Sequence, residues 1–215
     1  MTKAKLKSTH EANQEVKLGK IASIYMGYPF RTRVERDPEG TVGVIQMKDI
    51  DDYNRLNLTD VYKLQLEDLS EKHLLKQNDL LFRSRGVTNT TALVTEKIEP
   101  YVAASPLIVI RAKSSHVNPA YLAWYLNHPY GQKQINRFAE GTSQRMVSKL
   151  ALAELVIDLP PLAIQEAIVQ VAELNQREQQ LMQELAQKRK VYIDAVLMQK
   201  AVGQSNQNTS SKDSG

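Results

Sequence analysis

Between Leu162 and Lys200 the chain contains neither proline nor glycine, and its apolar residues return in two interleaved seven-residue series. Val171, Leu185 and Tyr192 form one, with a polar gap at Glu178; Leu174, Leu181 and Ala195 form the other, with a gap at Lys188. Such spacing places both series along one face of a helix and makes a seam that needs a partner helix. At 1.5 Å per residue, a helix over this stretch is roughly 58 Å long, more than a small domain can cover. The partner is therefore a second copy or another protein. Glutamines at 179, 180, 183, 187 and 199, with Glu and Lys around them, keep the other faces wet.

The remaining residues suffice for one globular domain with a real core. The organisation expected is a basic arm over 1–15 carrying Lys3, Lys5 and Lys7, a domain over 16–161, the helix over 162–200 and a tail over 201–215. From Gly203 on, that tail has no apolar residue, a composition expected to be disordered. With no cysteine, zinc–thiolate, iron–sulfur and disulfide readings are closed. No apolar stretch has the length of a membrane span and the start lacks a signal-peptide core, so a cytoplasmic protein is expected. The formal charge of +4 leans towards a polyanionic partner. The long helix, with five basic and five acidic residues, is neutral, so any DNA contact belongs to the domain.

Along the domain, 16–22 reads as a short strand or turn leading into Ile24–Met26. Arg31, Arg33 and Arg36 follow in a loop closed by a turn at Asp37-Pro38-Glu39-Gly40. Val42–Met47, Val61–Leu66, Leu80–Phe82, Thr91–Thr95 and Val102–Ile110 read as strands. The pattern changes at Asn118-Pro119, which opens a helix stopped by Asn127-His128-Pro129. Gly131–Phe138 reads as a second helix, Ala151–Leu155 as a helical turn, Val156–Leu159 as a strand, and Pro160-Pro161 as the rigid start of the long helix. The fold class expected is α+β: a strand-rich domain with small helices, then one long coiled-coil-forming helix. There is no internal repeat.

Motifs that would carry catalysis are missing. There is no glycine-rich phosphate loop and no nucleophile elbow, and His10, His73, His116 and His128 show no metal-ligand spacing. Leu159-Pro160-Pro161-Leu162 lacks the amide and the stacking ring of an amino-methyltransferase motif. Glu15-Val16-Lys17 has no upstream carboxylate to complete a nuclease site. No catalytic residue and no metal site are expected.

Three segments together resemble the specificity subunit of type I restriction-modification systems. The first is Val16-Lys17-Leu18-Gly19-Lys20-Ile21-Ala22 followed by Gly27. The second is Gln77-Asn78-Asp79-Leu80-Leu81-Phe82, with Asn78 where the family has glycine. The third runs from Gly141-Thr142-Ser143-Gln144 through Leu150 and Leu155 to Ile157-Asp158-Leu159-Pro160-Pro161-Leu162-Ala163-Ile164-Gln165-Glu166-Ala167-Ile168-Val169. The resemblance covers about Val16 to Lys200. It implies a DNA target recognition domain followed by a helix, with no catalytic residue and no cofactor of its own. S-adenosylmethionine belongs to the methyltransferase subunits such a protein directs, alongside motor-nuclease subunits where these exist. Full-length members carry two recognition domains and two helices that pair antiparallel. With one of each, this chain looks like a half-length form that dimerises and reads a bipartite target.

The candidate DNA contacts are Arg31, Arg33, Arg36, Arg83, Arg85, Asn89, Lys133, Arg137, Gln144, Arg145 and Lys149, basic or amide residues in open loops or at helix spacing. Arg83-Ser84-Arg85-Gly86 stands out, since arginine clamps guanine and Asn89 suits adenine. The plain alternative for each is a solvated surface charge. Tyr121, Trp124 and Tyr125 read as core, and Tyr28 and Phe30 as core or base contacts. The expected dimer interface is Ile164, Ile168, Val171, Leu174, Leu181, Leu185 and Tyr192. Two other readings stay open: an adaptor without DNA contact, and a nuclease with a scattered metal site.

Overall fold

The strand Leu107–Ala112, apolar up to Ile110, lies inside the larger sheet, and both faces of its apolar part are covered. The computed structural model describes residues 13–67, 69–86, 88–98, 100–139 and 145–207, and the chain divides into a globular unit up to Val169 and a helical unit from Gln170. In chain order the elements are β1 (Gln14–Lys17), α1 (Leu18–Ile21), β2 (Ala22–Met26), β3 (Val42–Ile45), β4 (Tyr62–Leu64), β5 (Leu80–Arg83), β6 (Arg85–Gly86), β7 (Thr91–Leu93), β8 (Tyr101–Ala103) and β9 (Leu107–Ala112). They continue as α2 (Pro119–Asn127), α3 (Pro129–Phe138), β10 (Arg145–Met146), α4 (Lys149–Ala153), β11 (Val156–Leu159) and α5 (Leu162–Gln207).

A four-stranded antiparallel sheet has the order β2-β9-β5-β7. Successive side chains of a strand point to opposite faces, so β5 and β9 feed two cores. Leu80, Phe82, Ile108 and Ile110 pack under α2 with Tyr121, Leu122, Tyr125 and Leu126. Leu81, Leu107 and Val109 pack with Ile45, Ile50 and Leu75. A second sheet, β4-β3-β8, holds β8 parallel to β3. Antiparallel pairing of β1 with β11 sets Gln14 opposite Leu159 and brings the start of the domain beside the strand preceding α5.

Three strand expectations need correction. Val102–Ile110 is two strands in different sheets: Ser105–Pro106 is a cis bond in the turn between them, and Pro106 has no N–H to continue a ladder. Val42–Met47 ends at Ile45, because Met47–Asp49 winds into a 3-10 turn whose Asp49 carboxylate accepts from Gln46 N at 2.7 Å. Gln14 and Glu15, placed in the arm, belong to β1. The remainder of the expected arm, 1–12, lies outside the described residues.

The helices expected from Pro119, Gly131 and Leu162 are present with small extensions, whereas the turn expected over Ala151–Leu155 is a helix over Lys149–Ala153. Asn118 caps α2 by accepting from Ala120 N (2.9 Å) and Tyr121 N (3.3 Å), with Pro119 at the first helical position. Pro161 precedes α5, whose first turns belong to the globular unit. There Gln165 is fully buried: its side-chain oxygen accepts from Asn118 N at 2.8 Å, and its Nε2 donates to His116 O at 2.9 Å and Pro160 O at 2.7 Å. One carboxamide thus ties the start of α5 to the cap of α2. Ile168, expected at a dimer seam, is half-buried against the domain's own core.

α5 passes Lys200 and reaches Gln207, entering the stretch expected to be disordered. A lone Gly203 costs a helix about 1 kcal/mol, too little to stop one that already runs from Leu162. The last eight residues lie outside the described ones. Within the helical unit, Val171, Leu174, Leu181, Leu185 and Tyr192 are 47–72% exposed. No helix among the described residues is long and apolar enough to cross a membrane.

Candidate nucleic-acid interface

Two basic segments leave the same end of the four-stranded sheet. Met26 pairs with Ile108 and Arg83 with Leu107, so β2 and β5 both finish where β9 begins, one on each side of it. On one side Gly27 N donates to Leu107 O (2.8 Å) and Tyr28 N to Ala103 O (2.7 Å). A Cβ at Gly27 would lie 2.6 Å from Ala103 O, so only glycine lets the chain pass there. On the other, Ser84 Oγ donates to Pro106 O at 2.5 Å. The Ala104–Pro106 turn is gripped from both sides.

Beyond Gly27, Tyr28 packs its ring 4.9 Å from Phe30 and edge-on to His73 at 5.3 Å, and joins the core of the smaller sheet. Tyr28, Pro29, Phe30, Arg31, Leu66 and His73 line a cavity of about 470 Å³. Burial, with Lys72 nearby, holds the His73 imidazole below its ordinary pKa. Arg31 and Arg33 are exposed and make no hydrogen bond or ion pair among the described residues. Arg36 pairs with Asp60 at 2.6 Å and stands 5.4 Å over the Tyr62 ring. Lys48, which the sequence reading did not single out, covers that ring at 3.5 Å.

Beyond Ser84 the structure joins two segments that the sequence keeps apart. Arg85 pairs with Met146 and Gly86 with Arg145 in an antiparallel ribbon, extended by Val147 N donating to Ser84 O at 2.9 Å. Gly86 has φ +134°, a conformation natural only to glycine. Buried Val147 fixes the ribbon to the core, and Ser148 caps α4 through Ala151 N, which leaves Lys149 exposed in the first turn. Arg85 is exposed, its Nη2 3.7 Å from Met146 Sδ. Lys133 and Arg137 are exposed on α3, whose other face buries Gly131 and Ile135. Gln144, with the neighbouring Gly141-Thr142-Ser143, lies outside the described residues.

Two of the favoured residues turn inward. Arg83 Nη2 donates to Ile50 O and also reaches Met47 O (3.4 Å) and Asp51 O (3.5 Å). Asn89 is only 2% exposed and donates through Nδ2 to Arg83 O at 2.9 Å. In this arrangement both organise loops: Arg83 is half-buried and Asn89 buried, and each donates to backbone oxygens. The residues that hold the 88–90 segment were not anticipated. Asn127 exchanges both amide bonds with the Thr91 backbone (2.8 and 2.7 Å), and Gln132 Nε2 donates to Asn89 O (2.9 Å) and Leu126 O (2.6 Å). Asn89 Oδ1, Thr90 Oγ1 and Thr91 Oγ1 are buried there without a partner among the described residues. The cap-like run Asn127-His128-Pro129 was the only sequence signal for this arrangement, and it was read purely as a helix stop.

Behind the sheet, fully buried Asp79 takes Arg111 Nε and Nη2 at 2.6 Å each, and Arg111 also donates to Leu74 O at 2.9 Å. Hydrogen bonding to that carboxylate raises the Arg111 pKa. Burial, reinforced by Asp79, pushes the Tyr25 phenol up to about 12. Asn78 has φ +72°, a left-handed conformation that explains why glycine suits this position and why asparagine can replace it. No cluster of His, Cys, Asp or Glu able to hold a metal occurs among the described residues.

Comparison with known proteins places this architecture. Residues 10–187 match the family model of the type I restriction modification DNA specificity domain, a non-catalytic domain. Among solved structures, the chain is similar to the crystal structure of the HsdS subunit from Thermoanaerobacter tengcongensis, with TM-score 0.57, 20% identity, and coverage of 79% of this chain and 38% of that one. It is also similar to a chain from a study of complex assembly and conformational transition of the type I R-M system (0.59, 20%, 79% and 39%). A third is the type I restriction-modification system S subunit from M. genitalium (0.53, 13%, 80% and 40%). At these identities the likeness is one of fold, and the chain spans about two fifths of the length of the structures it matches. A search of curated proteins gave no match.

Proposed function

The chain belongs to the type I restriction modification DNA specificity family, and on that premise we propose that it recognises a DNA sequence through its single globular unit, pairs with a second copy through α5, and directs methyltransferase subunits to the site. Motor-nuclease subunits join where the system has them. The chain itself catalyses nothing, and S-adenosylmethionine is held by the methyltransferase partner.

The observation that carries this reading is the β6–β10 ribbon, which brings Arg85 and Arg145 into one strand pair at the sheet end from which Arg31 and Arg33 also emerge. Arg85, Arg145 and Gln144 are the base-edge candidates. Lys149, Lys133, Arg137, Arg31, Arg33 and Arg36 are suited to phosphate positioning, while Arg83 and Asn89 set the loops that present them. The apolar seam of α5 forms a coiled coil with its copy. Two identical recognition units then read identical half-sites, so the target is bipartite and palindromic.

The test is a titration of the chain, alone and with its methyltransferase partner, against random and cognate duplexes at two salt concentrations. Tighter binding to the cognate duplex, weakening as salt rises, is expected. No binding to any duplex, even with the partner present, would favour the adaptor reading.

A further inference from the structure

Glu178 and Lys188 interrupt the apolar seam of α5, and the interruptions are complementary to each other about one point. Each is exposed, and neither makes a hydrogen bond or ion pair within the chain among the described residues. Glu178 lies five residues before Gln183 and Lys188 five after it. The apolar members obey the same symmetry: Leu181 and Leu185, Leu174 and Tyr192, and Val171 and Ala195 are equidistant from Gln183.

We propose that the occupant of this face is a second copy of α5 running antiparallel in one register, with the two-fold axis at Gln183 and each Glu178 against Lys188 of the second copy. This rests on the proposal that α5 is the dimerisation element; antiparallel pairing is what the family resemblance implies, and what is added here is the register and the Glu178–Lys188 pairing. In that register every apolar seam residue meets an apolar one and every charged seam residue an opposite charge. A parallel pair would set Glu178 against Glu178 and Lys188 against Lys188. An antiparallel pair slid by one heptad would set Glu178 against Leu181 and Lys188 against Val171, or Glu178 against Ala195 and Lys188 against Leu185.

One sliding register gains something in return, since it brings Arg177 opposite Glu184 on the flank. The register centred on Gln183 brings the two copies of Glu184 near each other instead. Flank charges sit in water, where pairing and repulsion are both weak, and Gln180 Nε2 donates to Glu184 Oε1 at 3.1 Å within each helix. A seam charge is desolvated, and leaving it against an apolar side chain is the larger penalty. The seam therefore decides the register. The helix is self-complementary in this sense, which is why an identical copy fits it.

The chain has no cysteine, so engineered thiols report the pairing without background. Full-length Leu181→Cys and Leu185→Cys chains are mixed, oxidised mildly and run on a non-reducing gel. The expected result is an intermolecular disulfide in the mixture and none in either variant alone. A disulfide in each variant alone means parallel pairing and overturns the proposal, as does no cross-link in a sample that light scattering shows to be dimeric. A second measurement is independent of cysteine geometry: Glu178→Lys should weaken dimerisation by about tenfold or more, and adding Lys188→Glu to the same chain should restore it to within about threefold. Equal dimer affinity for all three chains overturns the register while leaving the dimer itself intact. A monomeric wild-type chain removes the underlying dimer reading together with this one.

Discussion

Arg83 and Arg85 stand two positions apart, and their guanidinium groups do opposite things. Arg83 closes on backbone oxygens of Met47, Ile50 and Asp51, whereas Arg85 faces solvent from the ribbon. Replacing Arg83 with alanine should cost about 1–2 kcal/mol in denaturant unfolding, because it strips hydrogen bonds from half-buried carbonyls. Replacing Arg85 should leave stability within about 0.5 kcal/mol but weaken cognate DNA binding by about 1–3 kcal/mol and relax specificity at one base pair. Sequence reasoning could not separate the two, since the acceptors of Arg83 lie more than thirty residues away in a turn with no signature of its own. Asp79 is the converse case: its motif was legible, but its chemistry was not. Asp79→Asn should destabilise the domain by about 3 kcal/mol, leaving Arg111 without its counter-charge. His73 gives a pH signature. Its folded-state pKa is depressed by burial and Lys72, so the unfolded chain binds the proton more readily. Stability is then full above the unfolded pKa of about 6.5 and falls as pH drops below it. His73→Phe should flatten the dependence of Tm on pH between about 7.5 and 5.5, and an unchanged dependence would contradict this assignment.

The long helix and the capped helix announced themselves in the sequence, whereas the two-residue strands did not. The period of α5 and the Asn118-Pro119 cap gave both helices, because each rests on local chemistry repeated or fixed at a known offset. The β6–β10 ribbon has two residues per strand, too few for any periodicity, and yet it pairs the segments that carry Arg85 and Arg145. β8 and β9 were fused because an apolar run carries no mark of which sheet each half joins. At this scale Gln165 is the joint to test. Gln165→Leu keeps the volume but leaves Asn118 N, His116 O and Pro160 O without their partner. A loss of about 3 kcal/mol is expected, whereas an unchanged unfolding midpoint would mean the joint is dispensable. For α5 itself, Leu174→Lys combined with Leu181→Lys should convert a dimer into a folded monomer by light scattering. An unchanged mass would place the partner elsewhere.

The whole molecule combines one recognition unit of the specificity family with a helix whose apolar seam stays open within its own unit. The α+β class was legible from the change of pattern near residue 118, and the positive charge pointed to the domain because the helix is neutral. Strand order was not legible, since short strands joined by long loops leave their pairing to long-range packing. The division of labour predicts one signature in the DNA. The most direct measurement is selection of bound duplexes from a random-sequence pool by the full chain, with its methyltransferase partner present. Enrichment of two inverted copies of one short half-site at a fixed separation is the predicted result. Enrichment of an unrepeated site, or of nothing above the starting pool, would contradict the account.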